Sequence, residues 1–253
     1  VLVESLCRHA QRESASGDVS INQQSREHLL RVFVTITDQY ALHEGFATLQ
    51  NKPASAGSSA ECMMLFGQAY DAMEQYFSFV HTYLLFCRGD FLDSGSLLSE
   101  KVLGLCCVCL THCTERDPLR SLMHAMQVLL VPTSRDSAEM APQQAPQLPV
   151  LQALAQYGSK TTLLLLQLVN DARIPTSLVP NLTETLYCLI IACETPIPGT
   201  PSNQHQNLSV ECQQWVETAV MSPTLFAPLV ELTQRQVLIH ALLSLASSRS
   251  RRF

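Results

Sequence analysis

Residues 97–130, LLSEKVLGLCCVCLTHCTERDPLRSLMHAMQVLL, decide the fold class of this chain. From Leu97 to Cys113 the apolar residues recur every three or four positions, which is the spacing of one face of an α-helix. A charged turn follows, in which Asp117 and Pro118 predict the N-cap and the first position of the next helix. The stretch therefore predicts two amphipathic helices joined by a short turn. The apolar stripe of the second helix consists of Leu119, Leu122, Met126, Leu129 and Leu130.

The same period recurs along the rest of the chain, so helices are predicted almost throughout. The segment from Cys62 to Cys87 predicts one long helix or two abutting helices. Asn181 followed by Glu184, and Thr233 followed by Gln236 as a capping box, are typical of helix N-termini. The other predicted helices begin at Ser25 as an N-cap, with the stripe Leu29, Phe33, Ile36 and Tyr40, and cover Val150–Tyr157, Lys160–Asp171 (separated at Gly158 and Ser159) and Ser209–Val220.

Composition favours the same fold class. Only 15% of the residues are charged, compared with roughly 25% in an average soluble domain. The chain has only 9 glycines and lacks the regularly spaced turns that separate strands. About ten to twelve helices in antiparallel pairs of about 40 residues indicate helical repeats. The prediction is an all-α fold, a HEAT-like α-solenoid wound as a right-handed superhelix with a long concave surface. A closed helical bundle is the main alternative.

We expect one domain over residues 1–253, with mobile loops near 51–59, 133–147 and 195–208, where Pro, Gln, Asn and Ser are frequent. The chain begins with Val1 rather than Met, so it is expected to be a fragment of a longer protein. No signal peptide is recognisable.

The charge pattern argues against nucleic acid and membrane as partners. The chain has 16 basic and 22 acidic residues, for a net charge of -6. Basic residues cluster only in the tail from Arg249 to Phe253, so direct nucleic-acid binding is not expected. The tail predicts a solvated terminus or a contact with acidic groups. Apolar runs such as Val102–Leu110 and Leu163–Leu166 are shorter than the roughly 20 residues of a membrane span, so no membrane insertion is expected.

The 10 cysteines suggest disulfides or zinc, but their placement favours neither. Cys106, Cys109 and Cys113 share a helical face with Val102 and Leu105, and no pair of separated ligand motifs of the zinc type is present. We expect these thiols to be buried, unbridged and metal-free, as in a reducing compartment. The two glycosylation sequons, at Asn181 and Asn207, are then chance matches.

Catalytic motifs are also missing, so the chain is predicted to be non-enzymatic and to need no cofactor. His112 and Cys113 are adjacent, but neighbouring helical residues point about 100° apart. Asp90 and Asp93 are expected in a loop before a helix, where they would cap backbone amides. Trp215, the only tryptophan, predicts an anchor between helices. Single helical histidines are expected to face solvent or cap helix ends: His28, His43, His81, His124 and His240.

Several stretches resemble a known family. Leu29–Leu49, LLRVFVTITDQYALHEGFATL, is similar to a helix and acidic turn in the C-terminal half of the transportin-SR and importin-thirteen branch of the importin-β karyopherins. Met73–Leu130 resembles the following helix pairs of that branch, and Leu178–Val220 resembles its terminal repeats. The residues that match its motifs are Asp38, Tyr40, Glu44 and Gly45; Glu115, Arg116 and Asp117; Val179, Pro180, Glu184, Leu186 and Tyr187; and Cys212 and Trp215.

The resemblance implies a nuclear transport receptor that shuttles between nucleus and cytoplasm. Its implied partners are protein cargo, nucleoporins and the GTPase Ran, which the family grips mainly through N-terminal repeats that are expected to be missing here. Departures from the family pattern at Thr133–Gln147, at Thr195–Leu208 and in the basic tail leave the cargo open, so no cargo-binding residue is assigned. A HEAT-repeat scaffold in another multiprotein assembly is the alternative.

Overall fold

The computed structural model describes residues 19–42, 60–131, 148–171, 174–194, 202–222, 225 and 231–250. Within these ranges the chain is all-helical and contains no strand, so the predicted all-α class is confirmed. The α-helices are α1 (Val19–Leu42), α2 (Ala60–Asp93), α3 (Ser96–His112), α4 (Arg116–Leu130), α5 (Leu148–Asn170), α6 (Val179–Glu194), α7 (Ser202–Met221) and α8 (Leu232–Ser250), with a short 3-10 turn at Thr176–Leu178 before α6.

Helices α1 and α2 pack in antiparallel orientation. Residues early in α1 contact residues late in α2, and residues late in α1 contact residues earlier in α2. Aromatic rings dominate the interface, and ring stacking adds to the free energy of burying their area. The contacts are an ion pair between Arg26 and Asp90, stacked rings of Phe33 and Tyr83 with centroids 4.3 Å apart, and stacked rings of Tyr40 and Tyr76 at 4.2 Å.

Helices separated by one other helix contact each other, which gives an even-numbered and an odd-numbered layer, and α2 and α4 pack in parallel. In the even layer, Ser78 of α2 meets Ser121 of α4 with 3.4 Å between the hydroxyl oxygens, and Arg88 further along α2 reaches the end of α4. In the odd layer, the Cys107 sulfur of α3 lies 3.3 Å from the Thr161 hydroxyl of α5. In the described part of the chain, every pair of α-helices in substantial contact is adjacent in sequence or separated by a single helix.

The core is continuous along both layers and is filled chiefly by aliphatic side chains, with an aromatic cluster where α1 meets α2. Burying side chains of this size stabilises the fold by about 1.5–3 kcal/mol each. The largest fully buried side chains include Phe33, Phe77, Tyr83, Phe91, Met73, Leu84, Leu103, Leu105, Leu110 and Leu119.

For the segment from Cys62 to Cys87, one long helix and two abutting helices are the predicted alternatives. The predicted segment is one helix as far as Cys87, where the backbone leaves helical geometry with φ -129° and ψ 30°, and a short second helix that ends at Asp93 follows this kink. The chain then turns into α3 at Gly95, whose φ of 93° lies in the region that glycine adopts without steric cost.

The predicted break at Gly158 and Ser159 is wrong, because α5 is continuous through both residues. A glycine inside a helix costs stability relative to alanine. Here the absence of a side chain at Gly158 leaves room for the Trp215 ring of α7 to pack on the α5 backbone. A Cβ at position 158 would lie 2.2 Å from Cζ3 of that ring. The glycine therefore serves a close packing contact rather than a turn.

The predicted N-caps are displaced in every case. Ser25 lies inside α1, which begins at Val19, so the described polar residues before Ser25 are helical. The side-chain amide of Gln23 donates a hydrogen bond to the Glu27 carboxylate, one turn later, at 3.2 Å. Helix α4 begins at Arg116 after the N-cap Glu115. Asn181 and Thr233 likewise lie inside α6 and α8. A cap motif indicates a nearby helix start, but extra residues with adequate helix propensity can extend the first turn beyond it.

Of the predicted mobile loops, 51–59 and 133–147 lie outside the described residues. The third is wrong in its second half, because α7 begins at Ser202 and Leu208 is buried. Leu208, Cys212 and Val216 form one buried stripe at four-residue spacing, and that stripe extends the helix toward its N-terminus.

One helical stretch in the described ranges, Thr176–Glu194, is long and apolar enough to cross a membrane by length and composition, with 19 residues and a mean hydropathy of 1.2. The apolar runs seen in the sequence did not predict it. Half of the stretch is buried inside the protein, and the core helix of a soluble protein passes the same test, so it is weak support for a membrane span.

Candidate functional site

The cysteine cluster of α3 is part of the core, and its predicted burial is confirmed. Cys106, Cys109 and Cys113 are buried free thiols. Burial raises the pKa of all three, to about 12 for Cys113. The Cys113 sulfur is directed at the Glu115 carbonyl oxygen, 3.9 Å away. Since the thiolate is the nucleophilic form, these residues are poor nucleophiles at neutral pH.

The described residues also bring together no group of three or more His, Cys, Asp or Glu side chains that could hold a metal ion.

Two of the histidines expected to be single face each other, which corrects that expectation. His81 of α2 and His124 of α4 have ring centroids 6.0 Å apart. The His124 Nε2 atom lies 3.2 Å from the side-chain nitrogen of Asn181 in α6. Burial lowers the pKa of both imidazoles. The three parallel helices of the even layer are thus joined by a half-buried polar row. His28 and His240 are exposed, and His43 lies outside the described residues.

Asp90 and Asp93 are not in a loop before a helix. Both lie in the last turn of α2, where the negative end of the helix dipole disfavours carboxylates. Asp90 is compensated by Arg26 of α1, whose Nε donates to Oδ2 at 2.9 Å and whose second guanidinium nitrogen pairs with Oδ1. The role of this carboxylate is to join two helices rather than to cap one.

Trp215 is the inter-helix anchor that the sequence predicts. The half-buried ring packs on the backbone of Gly158 and joins α7 to α5.

The described residues form a cleft near the C-terminal end, with a volume of about 560 Å³, between α6, α7 and α8. The end of α6 supplies Glu194, and α7 supplies Gln213, Glu217 and Met221 at four-residue spacing along one face. Helix α8 supplies both apolar side chains, such as Ile239, and polar ones, such as His240. The lining thus combines apolar side chains with polar groups from all three helices.

The electrostatics of this cleft are acidic. Glu194 is partly removed from water, and burial raises its pKa, which means that no described cation offsets the desolvation of its carboxylate. No Lys or Arg is found among the side chains that line the cleft. Arg235 directly precedes the lining residue Gln236 in sequence, and its guanidinium donates to the carbonyl oxygens of Met221 and Ser222 at 3.3 and 3.4 Å. The cleft can therefore attract a positively charged group.

Sequence reasoning missed this site. A signal exists in the four-residue spacing of Gln213, Glu217 and Met221, which places them on one face of a helix. The sequence does not show that this face lies opposite α8, because that juxtaposition depends on packing between distant segments.

Comparisons of the chain with protein-family models, with curated proteins and with solved structures found no match.

Proposed function

We propose that this chain is a HEAT-like α-solenoid, wound as a right-handed superhelix, that binds protein cargo as part of a Ran-regulated nuclear transport receptor. The observation that carries the binding role is the order of helix contacts, in which the described α-helices in substantial contact are adjacent in sequence or separated by a single helix. Helices stacked in this order bury their apolar faces against both neighbours and leave extended lateral surfaces open. Such surfaces are suited to partner proteins.

A protein-binding role without catalysis is also supported by the chemistry of the most reactive groups. The α3 thiols have raised pKa values because they are buried. The polar row that includes His81 and His124 ties helices together. These groups contribute to packing, whereas the cleft at α6, α7 and α8 is open and lined by both polar and apolar side chains.

The transport role rests on the family resemblance, and the packing of the motif residues is compatible with it. Asp38 pairs with Lys101 of α3 at 2.6 Å, and Tyr40 stacks on Tyr76 of α2. Trp215 joins α7 to α5. These residues make contacts between helices, which is the role that repeat-defining residues have in solenoids. Glu44 and Gly45, the other two residues of the first motif, lie outside the described residues.

The proposal includes shuttling between nucleus and cytoplasm, contacts with nucleoporins, and control by Ran-GTP bound elsewhere on the receptor. The net charge of -6 favours cargo with basic or mixed-charge surfaces, through steering that weakens as salt rises.

The test is a pull-down from nuclear extract with the full-length protein and with this chain alone, each with and without Ran-GTP. We expect the full-length protein to exchange cargo when Ran-GTP is added, and the chain alone to bind Ran-GTP weakly or not at all. Cargo binding by the full-length protein that ignores Ran-GTP would remove the transport role and leave a HEAT-repeat scaffold of another assembly.

A further inference from the structure

We propose that the cleft between α6, α7 and α8 binds an arginine side chain presented by a segment of the partner protein. The inference rests on the proposed function, since it assumes that the chain binds protein, and it names the chemistry that this surface recognises. The occupant is identified by charge, by hydrogen-bonding capacity and by the apolar lining.

Charge complementarity selects a cation. Glu194 and Glu217 both line the cleft, and no described residue forms an ion pair with either of them. Burial raises the pKa of the Glu194 carboxyl, so an incoming cation would stabilise a carboxylate that is now partly desolvated without compensation. An anionic ligand would meet these carboxylates and is disfavoured.

The remaining polar lining selects a guanidinium over an ammonium. Gln213, Gln236 and Ser244 also line the cleft, and their amide and hydroxyl oxygens can accept hydrogen bonds. A guanidinium carries five donors in a fixed planar arrangement, whereas an ammonium carries three. Several acceptors from three helices therefore match arginine better than lysine.

The apolar part of the cleft fits the rest of the side chain. Met221, Ile239 and Leu243 line it, and the methylene groups of arginine pack well on such surfaces while the head remains polar. The volume of about 560 Å³ exceeds that of one side chain, so neighbouring residues of the partner segment enter as well.

The experiment uses the whole 253-residue chain with ¹³C-methyl-labelled methionine. The Met221 signal, identified by its loss in Met221→Leu, is followed by NMR during titration with the acetylated peptide Gly-Ser-Arg-Ser-Gly. Matched peptides carry citrulline, the neutral analogue of arginine, or lysine at the central position. We expect saturable shifts of Met221 with arginine, weaker binding with lysine, and none with citrulline.

Variants assign the binding to the cleft. Glu194→Gln and Glu217→Gln should each weaken arginine-peptide binding about two- to fivefold, as expected for ion pairs that are open to solvent on one side. Glu211→Gln is the matched control, because it removes the same charge from an exposed position of α7 outside the cleft and should change the affinity by less than about twofold. Circular dichroism and the signals of the buried Met73 and Met126 report whether each variant is folded.

The inference is overturned if Met221 does not respond to the arginine peptide, if citrulline binds equally well, or if the control variant loses as much affinity as the cleft variants. None of these measurements involves Ran. A cleft that binds arginine in a protein whose cargo exchange ignores Ran-GTP would leave this inference standing and remove the transport role. A cleft that does not bind arginine, in a protein whose cargo exchange responds to Ran-GTP, would remove this inference and leave the transport role standing.

Discussion

Replacing Gly158 with alanine adds one methyl group at the point where α5 receives the Trp215 ring. The new Cβ would lie 2.2 Å from Cζ3, 2.4 Å from Cη2 and 2.9 Å from Cε3. Favourable contacts between carbon atoms need about 3.5–4.0 Å. The indole edge must therefore move by more than about 1 Å, out of its present contact with the α5 backbone.

Two effects of opposite sign decide the outcome. Overpacking a well-packed contact costs about 1–3 kcal/mol. Alanine inside a helix is favoured over glycine by about 0.5–1 kcal/mol. The expected net effect of Gly158→Ala is a destabilisation of about 1 kcal/mol, with about 2 kcal/mol as the upper end. For a chain of this size this corresponds to a melting temperature lower by about 2–4 °C.

Urea unfolding followed by far-UV circular dichroism measures the free energy of unfolding. Gly89→Ala in α2 is the matched control, because its Cβ would meet only the Arg26 side chain at 4.0 Å and should show the helix-propensity gain alone. Acrylamide quenching of the single tryptophan should increase in Gly158→Ala, because the displaced ring is more exposed. In a Trp215→Leu background, Gly158→Ala should become neutral or stabilising, and the difference measures the coupling.

The packing account is refuted if Gly158→Ala stabilises the otherwise unchanged protein as much as Gly89→Ala does, with unchanged quenching. Such a result would mean that the ring does not rest on the α5 backbone.

Three further predictions follow from the same packing. Arg88→Met should destabilise the protein by about 1–3 kcal/mol in urea unfolding, because the buried guanidinium donates to two carbonyl oxygens at the end of α4. The control Arg31→Met removes only an exposed ion pair and should cost less than about 1 kcal/mol. Burial lowers the pKa of His81 and His124, so the unfolded chain takes up protons first and stability should fall as the pH drops below about 6.5. Unfolding of the double variant with glutamine at both positions, between pH 5 and about 7.5, should show a flatter dependence. An equal slope in both proteins contradicts the lowered pKa values of the two imidazoles. Cys106, Cys109 and Cys113 should react with a thiol reagent only as fast as the native protein opens, and rapid labelling of all three without denaturant contradicts their burial.

The helices that carry strong apolar stripes could be predicted closely from the sequence. The prediction of Leu97–Cys113 differs from the observed α3, Ser96–His112, by one residue at each end. Helix α3 buries every residue from Leu105 to Leu110, which lie on all sides of the helix, so a continuous apolar run defines this segment wherever it packs. The all-helical class follows from the repetition of this pattern.

Breaks and caps could not be predicted as well, because they depend on contacts between distant segments. Gly158 predicts a break by local rules, yet Trp215 in a later helix makes the glycine a packing site. Asp90 predicts a cap, yet Arg26 in an earlier helix binds it. Gly158 and Asp90 each have a partner that only the packing of the helices brings near.

The cleft was beyond sequence reasoning for the same reason. Glu194 follows a buried cysteine at the end of α6, and nothing near it in sequence indicates that side chains of α7 and α8 converge there. The four-residue spacing in α7 predicts a face but does not identify what lies opposite.

The most direct test of the proposed transport function is the affinity of the receptor proposed to contain this chain for one purified cargo, measured with Ran loaded with GTP and with GDP. The account predicts that the two dissociation constants differ by at least about tenfold, within the range of allosteric coupling between distinct binding sites. Deleting the segment that corresponds to this chain should abolish cargo binding in both nucleotide states. Equal dissociation constants with Ran-GTP and Ran-GDP, or full affinity after the deletion, would contradict the claim.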